Sequence, residues 1–499
     1  MPVAKARHPQ YNGPTGVRLE NSDLSLHVLL VNPNRMQPPI GPIGLDYLGD
    51  ALRAAGHDVK VLDLCFAADY GAAIGDHFRH KRPDLIGFSI RNTDDCYFAS
   101  QESFLGLYRD VLAQLRAHST APIVLGGVGF SVMPEAILRR CGAECGVAGD
   151  GEAAIVAIAD RIVRGESWCD VPGLVYRAGD GFRRNPPRFA ALDVFPRPRS
   201  TVDNRRYLAE GGMGNVETKR GCGQRCIYCA DPLSKGRRYR LRSPQAVADE
   251  LEALLAQGVS WLHLCDAEFN LPRAHAEAVC AEIIARGLGE RLRWYTYAAA
   301  QPFDGRLAAL MRRAGCRGIN FGVDSGSDAV LRRLGRPYCA ADLRRTAAAC
   351  RREGLTFMYD LLIGGPGETK ETLRATIDPM KEVEPDRVGA AVGVRIYTGT
   401  LLAAQVAAAG FHPGNPELHG AIAGNEDYAE PVFFLSAALG PDAVDHVREL
   451  VAGDQRFFVG AKKGELARNY NYNDNSVLVE AIRRGHRGAY WDILRQIGV

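Results

Sequence analysis

Over roughly the first 160 residues, short apolar runs alternate with stretches whose apolar positions recur every three or four residues. The runs His27-Val-Leu-Leu-Val-Asn32, Val59-Lys-Val-Leu-Asp63, Leu85-Ile-Gly-Phe-Ser89 and Pro122-Ile-Val-Leu-Gly126 are too short for helices and read as buried strands. Between them Leu45, Leu48 and Leu52 keep helical spacing, residues 105–117 repeat that pattern, and Pro134 stands where a first helical turn tolerates proline. Strand then helix, repeated, predicts a parallel doubly wound sheet, with a last short strand near Cys145 to Ala148.

From Val171 the pattern loosens into Asn185-Pro-Pro-Arg and Phe195-Pro-Arg-Pro-Arg-Ser200, which reads as a linker. Alternation then resumes, with strands expected around Val216, Leu262, Tyr295, Asn320, Tyr359 and Val392 and helical stretches such as Ser243 to Gln257 between them. About six parallel units make an open barrel rather than a closed eightfold one. Past Gly410 the periodicity stops. The expected α/β organisation is therefore a doubly wound, Rossmann-like (flavodoxin-like) domain over 1–170, a linker over 171–210, a partial (β/α)6 barrel over 211–410 and a mostly helical module over 411–499.

A chain of 499 residues with 46% apolar and 24% charged side chains is an ordinary multidomain globular protein. A formal charge of +3 is too small to imply a polyanion, so nucleic acid is not expected, and Arg237-Arg-Tyr-Arg-Leu-Arg242 reads as a solvated face. No apolar run approaches the roughly 18 residues of a membrane span, and the first residues lack a leader's apolar core, so a cytoplasmic location is expected. Of thirteen cysteines, Cys65, Cys141, Cys280, Cys316 and Cys350 sit in apolar segments as buried thiols rather than in a disulfide framework.

Cys222-Gly-Gln-Arg-Cys226-Ile-Tyr-Cys229 is different, because it places three thiols in one loop after a short strand. Three thiolates can hold three irons of a cubane and leave the fourth open, whereas a structural zinc needs a fourth protein ligand that does not stand nearby. The spacing, with Tyr228 before the last cysteine, resembles the radical S-adenosylmethionine (SAM) superfamily. That resemblance implies a [4Fe-4S] cluster on Cys222, Cys226 and Cys229 and SAM on its open iron. It extends to Asp266-Ala-Glu268, at the place of a segment contacting the methionine amine; the alternatives are a helix N-cap for Asp266 and a solvated first-turn charge for Glu268. Gly322-Val-Asp324-Ser-Gly-Ser327 is similar to the fourth-strand segment, which commonly carries Glu where Asp324 stands. Gly365-Pro-Gly-Glu368-Thr and Val394-Arg395-Ile-Tyr-Thr-Gly-Thr400 match two further strand ends, and Glu368 could equally cap a helix.

In a doubly wound sheet, ligands enter beyond the strand C-termini where strand order reverses, which for order 2-1-3-4-5 lies between strands one and three. The loops there carry Asn32, Arg35 and Met36, then Ser89, Arg91 and Asn92, then Gly126, Gly127 and Gly129, then Gly149, Gly151 and Glu152. In order and content they resemble the cobalamin-binding domain that precedes one class of radical SAM enzymes. No Gly-x-Gly-x-x-Gly follows strand one, which argues against a dinucleotide. The Asp-x-His-x-x-Gly motif that gives cobalt a histidine in other cobalamin proteins is also missing; Asp76-His77 lies in the wrong register on a helical stretch. The resemblance thus implies a cobalt whose lower face meets no histidine and could be shielded by a side chain from the loop after strand one or strand three.

Over roughly Leu26 to Gly410 the chain resembles cobalamin-dependent radical SAM enzymes, many of which methylate unactivated carbon or phosphorus. The implied activity is methyl transfer from methylcobalamin to a small molecule through a 5′-deoxyadenosyl radical, with an electron donor such as flavodoxin or ferredoxin as partner. The alternatives are a cyclase or ring-contraction enzyme with the same cofactors, or a non-catalytic cobalamin or cluster sensor. Tyr295, Tyr297, Gln301, Arg395 and Tyr397 are expected at the barrel mouth, Leu478, Ile482 and Trp491 in a final helix packed on the barrel, and the loop from Arg468 to Asn475 near the substrate.

Overall fold

The computed structural model describes residues 25–462, 465 and 475–499. Most of the loop expected near the substrate, residues 468–474, lies outside the described residues. Strands β1 (His27–Asn32), β2 (Asp58–Asp63), β3 (Leu85–Ser89), β4 (Ile123–Gly126) and β5 (Cys145–Val147) form a parallel sheet in the order β2-β1-β3-β4-β5. β1 is buried at all six positions because helices cover both faces, which is why its sequence is continuously apolar rather than alternating. Strand order reverses between β1 and β3, so a crevice opens at their C-terminal ends.

The segment 171–210 is more ordered than its proline content suggests. β6 (Leu174–Ala178) and β7 (Gly181–Arg184) form a hairpin that continues the first sheet antiparallel to β5. Arg199, in the Pro-Arg-Pro-Arg stretch, is fully buried: its guanidinium donates to Asp46 at 2.7 Å, to Glu250 at 2.8 Å and to the Asn215 carbonyl at 2.7 Å. Asp46 belongs to the helix Ile43–Ala54 of the first domain and Glu250 to the helix Pro244–Ala256 of the second, so this arginine joins the two. Buried charges persist only when paired and hydrogen-bonded in this way. Arg242, expected on a solvated face, also turns inward, donating to Glu250 at 2.5 Å, and Arg240 pairs with Asp150; Arg237 and Arg238 are exposed as expected.

The second sheet begins with β8 (Gly214–Val216), followed by a two-stranded ribbon of β9 (Lys219–Arg220) and β10 (Arg240–Leu241) that frames the cysteine loop. β11 (Trp261–Leu264), β12 (Arg293–Ala298), β13 (Cys316–Asp324), β14 (Thr356–Ile363) and β15 (Arg387–Val392) then join β8 in a parallel sheet, β8 beside β11. β16 (Val394–Arg395), β17 (Leu418–Gly420) and β18 (Val432–Phe434) make a small antiparallel patch. β19 (Phe457–Val459) pairs in parallel with β15, so the chain beyond residue 410 supplies a seventh strand, and β8 and β19 remain as open edges.

The C-terminal helices Ser476–Arg483 and Tyr490–Gln496 are fixed by burial of Leu478, Ile482 and Trp491. Trp491 meets the Tyr295 ring edge-on at 6.1 Å and packs with Met358, residues of β12 and β14, so the final helix closes the barrel from the inside of its sheet.

Candidate functional site

The C-terminal ends of β1, β3, β4 and β5 face the mouth of the barrel across a cavity of about 860 Å³. From the first domain Asn32, Ser89, Arg91, Asn92, Gly126, Gly127, Gly129, Gly149, Gly151 and Glu152 line it; from the barrel Tyr228, Cys229, Asp266, Tyr295, Tyr297, Arg395 and Tyr397 do so. Arg35 and Met36 do not. Arg35 stacks on Tyr70 at 5.3 Å, and Met36 offers its sulfur to the Asn92 amide at 3.9 Å, outside the lining. Gln301, before a cis proline, also stands away from the cavity wall.

Two of these glycines are required by packing between loops. Gly127 has φ +99°, and a Cβ there would meet the Ile90 carbonyl oxygen at 2.4 Å; a Cβ on Gly129 would meet the Arg91 carbonyl oxygen at 2.9 Å. They let the β4 loop pack directly on the β3 loop, and this contact shapes the floor of the cavity. Arg91, carried by that floor, lines the cavity and leaves its Nη1 buried without a hydrogen-bond partner. Glu152 is bound bidentately by Arg220 at 2.7 and 3.0 Å; burial alone would raise its pKa, but Arg220 outweighs burial and holds it at about 2. It is a clamp between the domains.

The barrel carboxylates are equally committed. Asp266 caps no helix: its carboxylate is buried and accepts from Lys219 Nζ at 2.8 Å, the Thr218 amide at 2.8 Å and the Thr218 hydroxyl at 2.5 Å. Burial opposes its ionisation, Lys219 outweighs burial, and the pKa falls. It thereby fixes the strand end that leads into the cysteine loop. Glu268 is not solvated: Oε1 accepts from Arg336 at 3.0 Å, Oε2 is buried and unpartnered, and burial raises its pKa despite Arg336. Asp324 ends β13 at φ +62°, in the left-handed region, and accepts from Tyr228 at 2.6 Å and from Arg336 at 2.5 and 3.1 Å. Arg395 is buried and donates to Asp94 of the first domain.

The cysteine loop is held by backbone contacts. The Cys222 amide donates to the Gly236 carbonyl at 3.1 Å and Ile227 to Leu334 at 3.1 Å, while Gly335, φ +79°, leaves no room for a Cβ against the Arg225 carbonyl at 2.5 Å. Burial raises the pKa of Cys222, takes that of Cys226 up to about 12 and raises that of Cys229 as well. Among the described residues no group of three His, Cys, Asp or Glu side chains is arranged to hold a metal ion, the three cysteines of this loop included. Three cysteine sulfurs on one loop would suit a cubane with one open iron.

Residues 35–159 match the B12 binding domain family and residues 216–380 the radical SAM superfamily. Tryptophan 2-C-methyltransferase from Streptomyces laurentii is 32% identical over 93% of this chain and 95% of its own length. The chain belongs to the cobalamin-dependent radical SAM methyltransferases. Two solved structures of the radical SAM methyltransferase TsrM from Kitasatospora setae agree. One, with tryptophan and a SAM analogue bound, has a TM-score of 0.87 at 33% identity and covers 94% of this chain and 97% of that one. The other, with cobalamin and a [4Fe-4S] cluster bound, has a TM-score of 0.85 at 32% identity and covers 95% and 97%.

In this methyltransferase several residues with clear positions were not singled out from the sequence. Arg336 neutralises two carboxylates, Lys219 holds Asp266, and Arg220 bridges Glu217, Asp150 and Glu152. His263 on β11 lines the cavity, and Tyr490 brings the last helix to the Pro38 carbonyl of the first domain at 3.4 Å. Apart from Glu217, three residues before Arg220, and Asp324, twelve before Arg336, their partners lie far away in sequence. Only the Lys219-Arg220 pair next to the cysteine loop offered a local signal.

Proposed function

We propose that this methyltransferase adds a methyl group to a ring carbon of an indole-bearing small molecule, with tryptophan the first candidate. The observation that carries the reading is the single cavity in which the cobalamin-domain loops and the barrel mouth face each other, walled by Tyr295, Tyr297, Tyr397 and Trp491. Aromatic walls suit a flat apolar ring. The share of chain and sequence in common with a tryptophan methyltransferase supports the same ring system.

When bound, cobalamin, SAM and the cluster supply the methyl group and the redox chemistry of its transfer. The chain's own residues supply position and shielding. Cys222, Cys226 and Cys229 would hold the cluster and leave one iron open. Glu268, with one free buried oxygen, and Tyr228 stand beside that loop for SAM. Asn32, Ser89, Asn92 and the floor built by Gly126, Gly127, Gly129, Gly149 and Gly151 would carry the corrinoid. Arg91, whose Nη1 is buried without a partner, would help to hold the corrinoid, and no first-domain residue lining the cavity is a histidine that could ligate its metal. The Arg395–Asp94 and Arg220–Glu152 pairs close the seam between the domains against water.

The same reading takes residues 1–170 as the corrinoid domain, 171–210 as its connection, 211–410 as the SAM barrel and 411–499 as the module completing the pocket. A one-electron donor such as flavodoxin or ferredoxin would reduce the cluster. Thirteen cysteines with no disulfide among them suit a reducing cytoplasm, and no helix among the described residues is long and apolar enough to cross a membrane. The test is anaerobic turnover of the reconstituted protein with methylcobalamin, SAM, a reductant and L-tryptophan. A product heavier by one methylene, methylated on the indole ring, is expected. A product of unchanged mass with new connectivity would favour a cyclase or rearrangement instead.

A further inference from the structure

We infer that His263 selects the substrate by accepting a hydrogen bond from its ring N–H, an inference that rests on the indole reading above. Nearly all ionisable barrel side chains lining the cavity are already engaged. Glu217 takes Arg220 at 2.8 Å, Asp266 takes Lys219 at 2.8 Å, Tyr295 donates to Asp492 at 2.7 Å, and Tyr397 shares a contact with Cys96 at 2.8 Å. His263 lines the same cavity and hydrogen-bonds to none of the described residues through its ring nitrogens. Its ring is held edge-on by Tyr297, centroids 4.9 Å apart and planes at 64°.

The chemistry of the two open groups differs. Arg91 can only donate, and always as a cation. Burial keeps the His263 imidazole neutral at neutral pH, its pKa lowered to about 4, so one ring nitrogen is free to accept. Asn320 also lines the cavity; its Nδ2 is committed to Asp360 at 2.8 Å and its Oδ1 is buried without a partner. A flat ring lying among Tyr295, Tyr297 and Trp491 would therefore meet the neutral acceptor of His263 on the same wall. A ring carrying N–H satisfies it, whereas a ring without a donor leaves a desolvated imidazole unpaired and binds less well. The same bond sets which edge of the ring is turned toward the first domain.

The experiment measures binding, without SAM, to the full chain reconstituted with cluster and cobalamin. The probes are L-tryptophan and its benzothiophene analogue, in which ring sulfur replaces N–H at nearly the same size. Wild type should prefer tryptophan by about tenfold. His263→Phe, with iron and cobalamin content unchanged, should bind both probes alike, and His263→Gln should restore part of the preference. In turnover, His263→Phe should raise KM for tryptophan and spread the methyl group over more than one ring position. A wild type that binds tryptophan without preference, or a His263→Phe variant that keeps the preference, overturns the inference while the indole reading stands. A wild type that binds neither probe overturns both.

Discussion

Arg395 and Asp94, 301 residues apart, meet across the domain seam on one carboxylate oxygen, Asp94 Oδ2, which accepts Nη2 at 2.8 Å and Nε at 3.1 Å. The Thr93 hydroxyl donates to the same oxygen at 3.0 Å, and both charged side chains are buried. Arg395 lines the cavity at the barrel mouth and also ties the barrel to the loop after β3. Removing one partner of a buried pair strands the other charge, at a cost of about 3–5 kcal/mol. Asp94→Asn should therefore lower the melting temperature by several degrees and weaken cobalamin retention. An unchanged melt with full corrinoid content would show that the pair holds nothing together.

The cysteine assignment predicts about four irons and four sulfides per chain after anaerobic reconstitution. Replacing Cys222, Cys226 and Cys229 together by Ala should abolish both. Cys265 is the informative control, since it also lines the cavity, but its thiol donates to the His263 carbonyl at 3.5 Å and burial takes its pKa up to about 12. Cys265→Ala should keep the full iron content. Iron retained in the triple variant would place the cluster elsewhere.

What could be read in the sequence follows from the range of the forces involved. β1 to β5 and the six barrel strands are marked by local apolar runs, and the cysteine loop by spacing within eight residues. β6 and β7 were hidden because Leu174–Ala178 pairs with β5, whose contribution no local pattern reveals. β19 is three residues long and exists only because β15 offers an open edge. Arg199 and Arg242 looked solvated because arginine usually is; both are buried because Glu250, on a helix with an otherwise ordinary apolar stripe, points between them. Asp266 and Glu268 were read from a local motif, but their partners, Lys219 on β9 and Arg336 in the turn after the helix Asp328–Leu334, decide what each carboxylate does.

Arg91 yields a spectroscopic prediction. If its guanidinium lies under the corrinoid, the paramagnetic resonance of the cob(II) form should carry no nitrogen hyperfine splitting from an axial ligand. Arg91→His should introduce one, because imidazole can coordinate where guanidinium cannot. Nitrogen splitting in the wild type would refute the no-histidine arrangement, and failure to bind any corrinoid would refute the assignment of the cavity.

Glu368 predicts how stability varies with pH. It is buried, Oε2 accepts the Gly364 amide at 2.6 Å, Oε1 has no partner, and burial pushes its pKa to about 7. Between the ordinary carboxylate range and pH 7 the unfolded chain has released this proton while the folded chain still holds it. Folding is thus favoured at low pH, and that contribution is lost as pH rises through 7. Glu368→Gln cannot ionise, so it should be more stable than wild type by about 2–3 kcal/mol at pH 8 and indistinguishable near pH 4.5. Parallel denaturation curves at the two values decide it; a constant difference across pH would mean the carboxyl is ionised throughout.

The last helix predicts a separation between folding of the pocket and binding of the corrinoid. Trp491 lies against Tyr295 and Met358, Asp492 accepts from the Tyr295 hydroxyl at 2.7 Å, and Arg387 donates to the Val499 carbonyl at 3.0 Å. Among the described residues, Tyr490 alone of this helix hydrogen-bonds to the first domain, through long contacts to the Pro38 and Pro39 carbonyls at 3.4 and 3.5 Å. Trp491→Ala should cost about 3–5 kcal/mol, as large-to-small changes at buried tryptophan do, and should open the wall beside the aromatic slot. Turnover and substrate affinity should fall together while cobalamin content stays near wild type, since the corrinoid floor is built by β3 and β4. Deleting residues 476–499 should go further and expose Trp261, Tyr295 and Met358, costing solubility. A truncated chain that stayed soluble and kept full turnover would show that the barrel closes without its final helix.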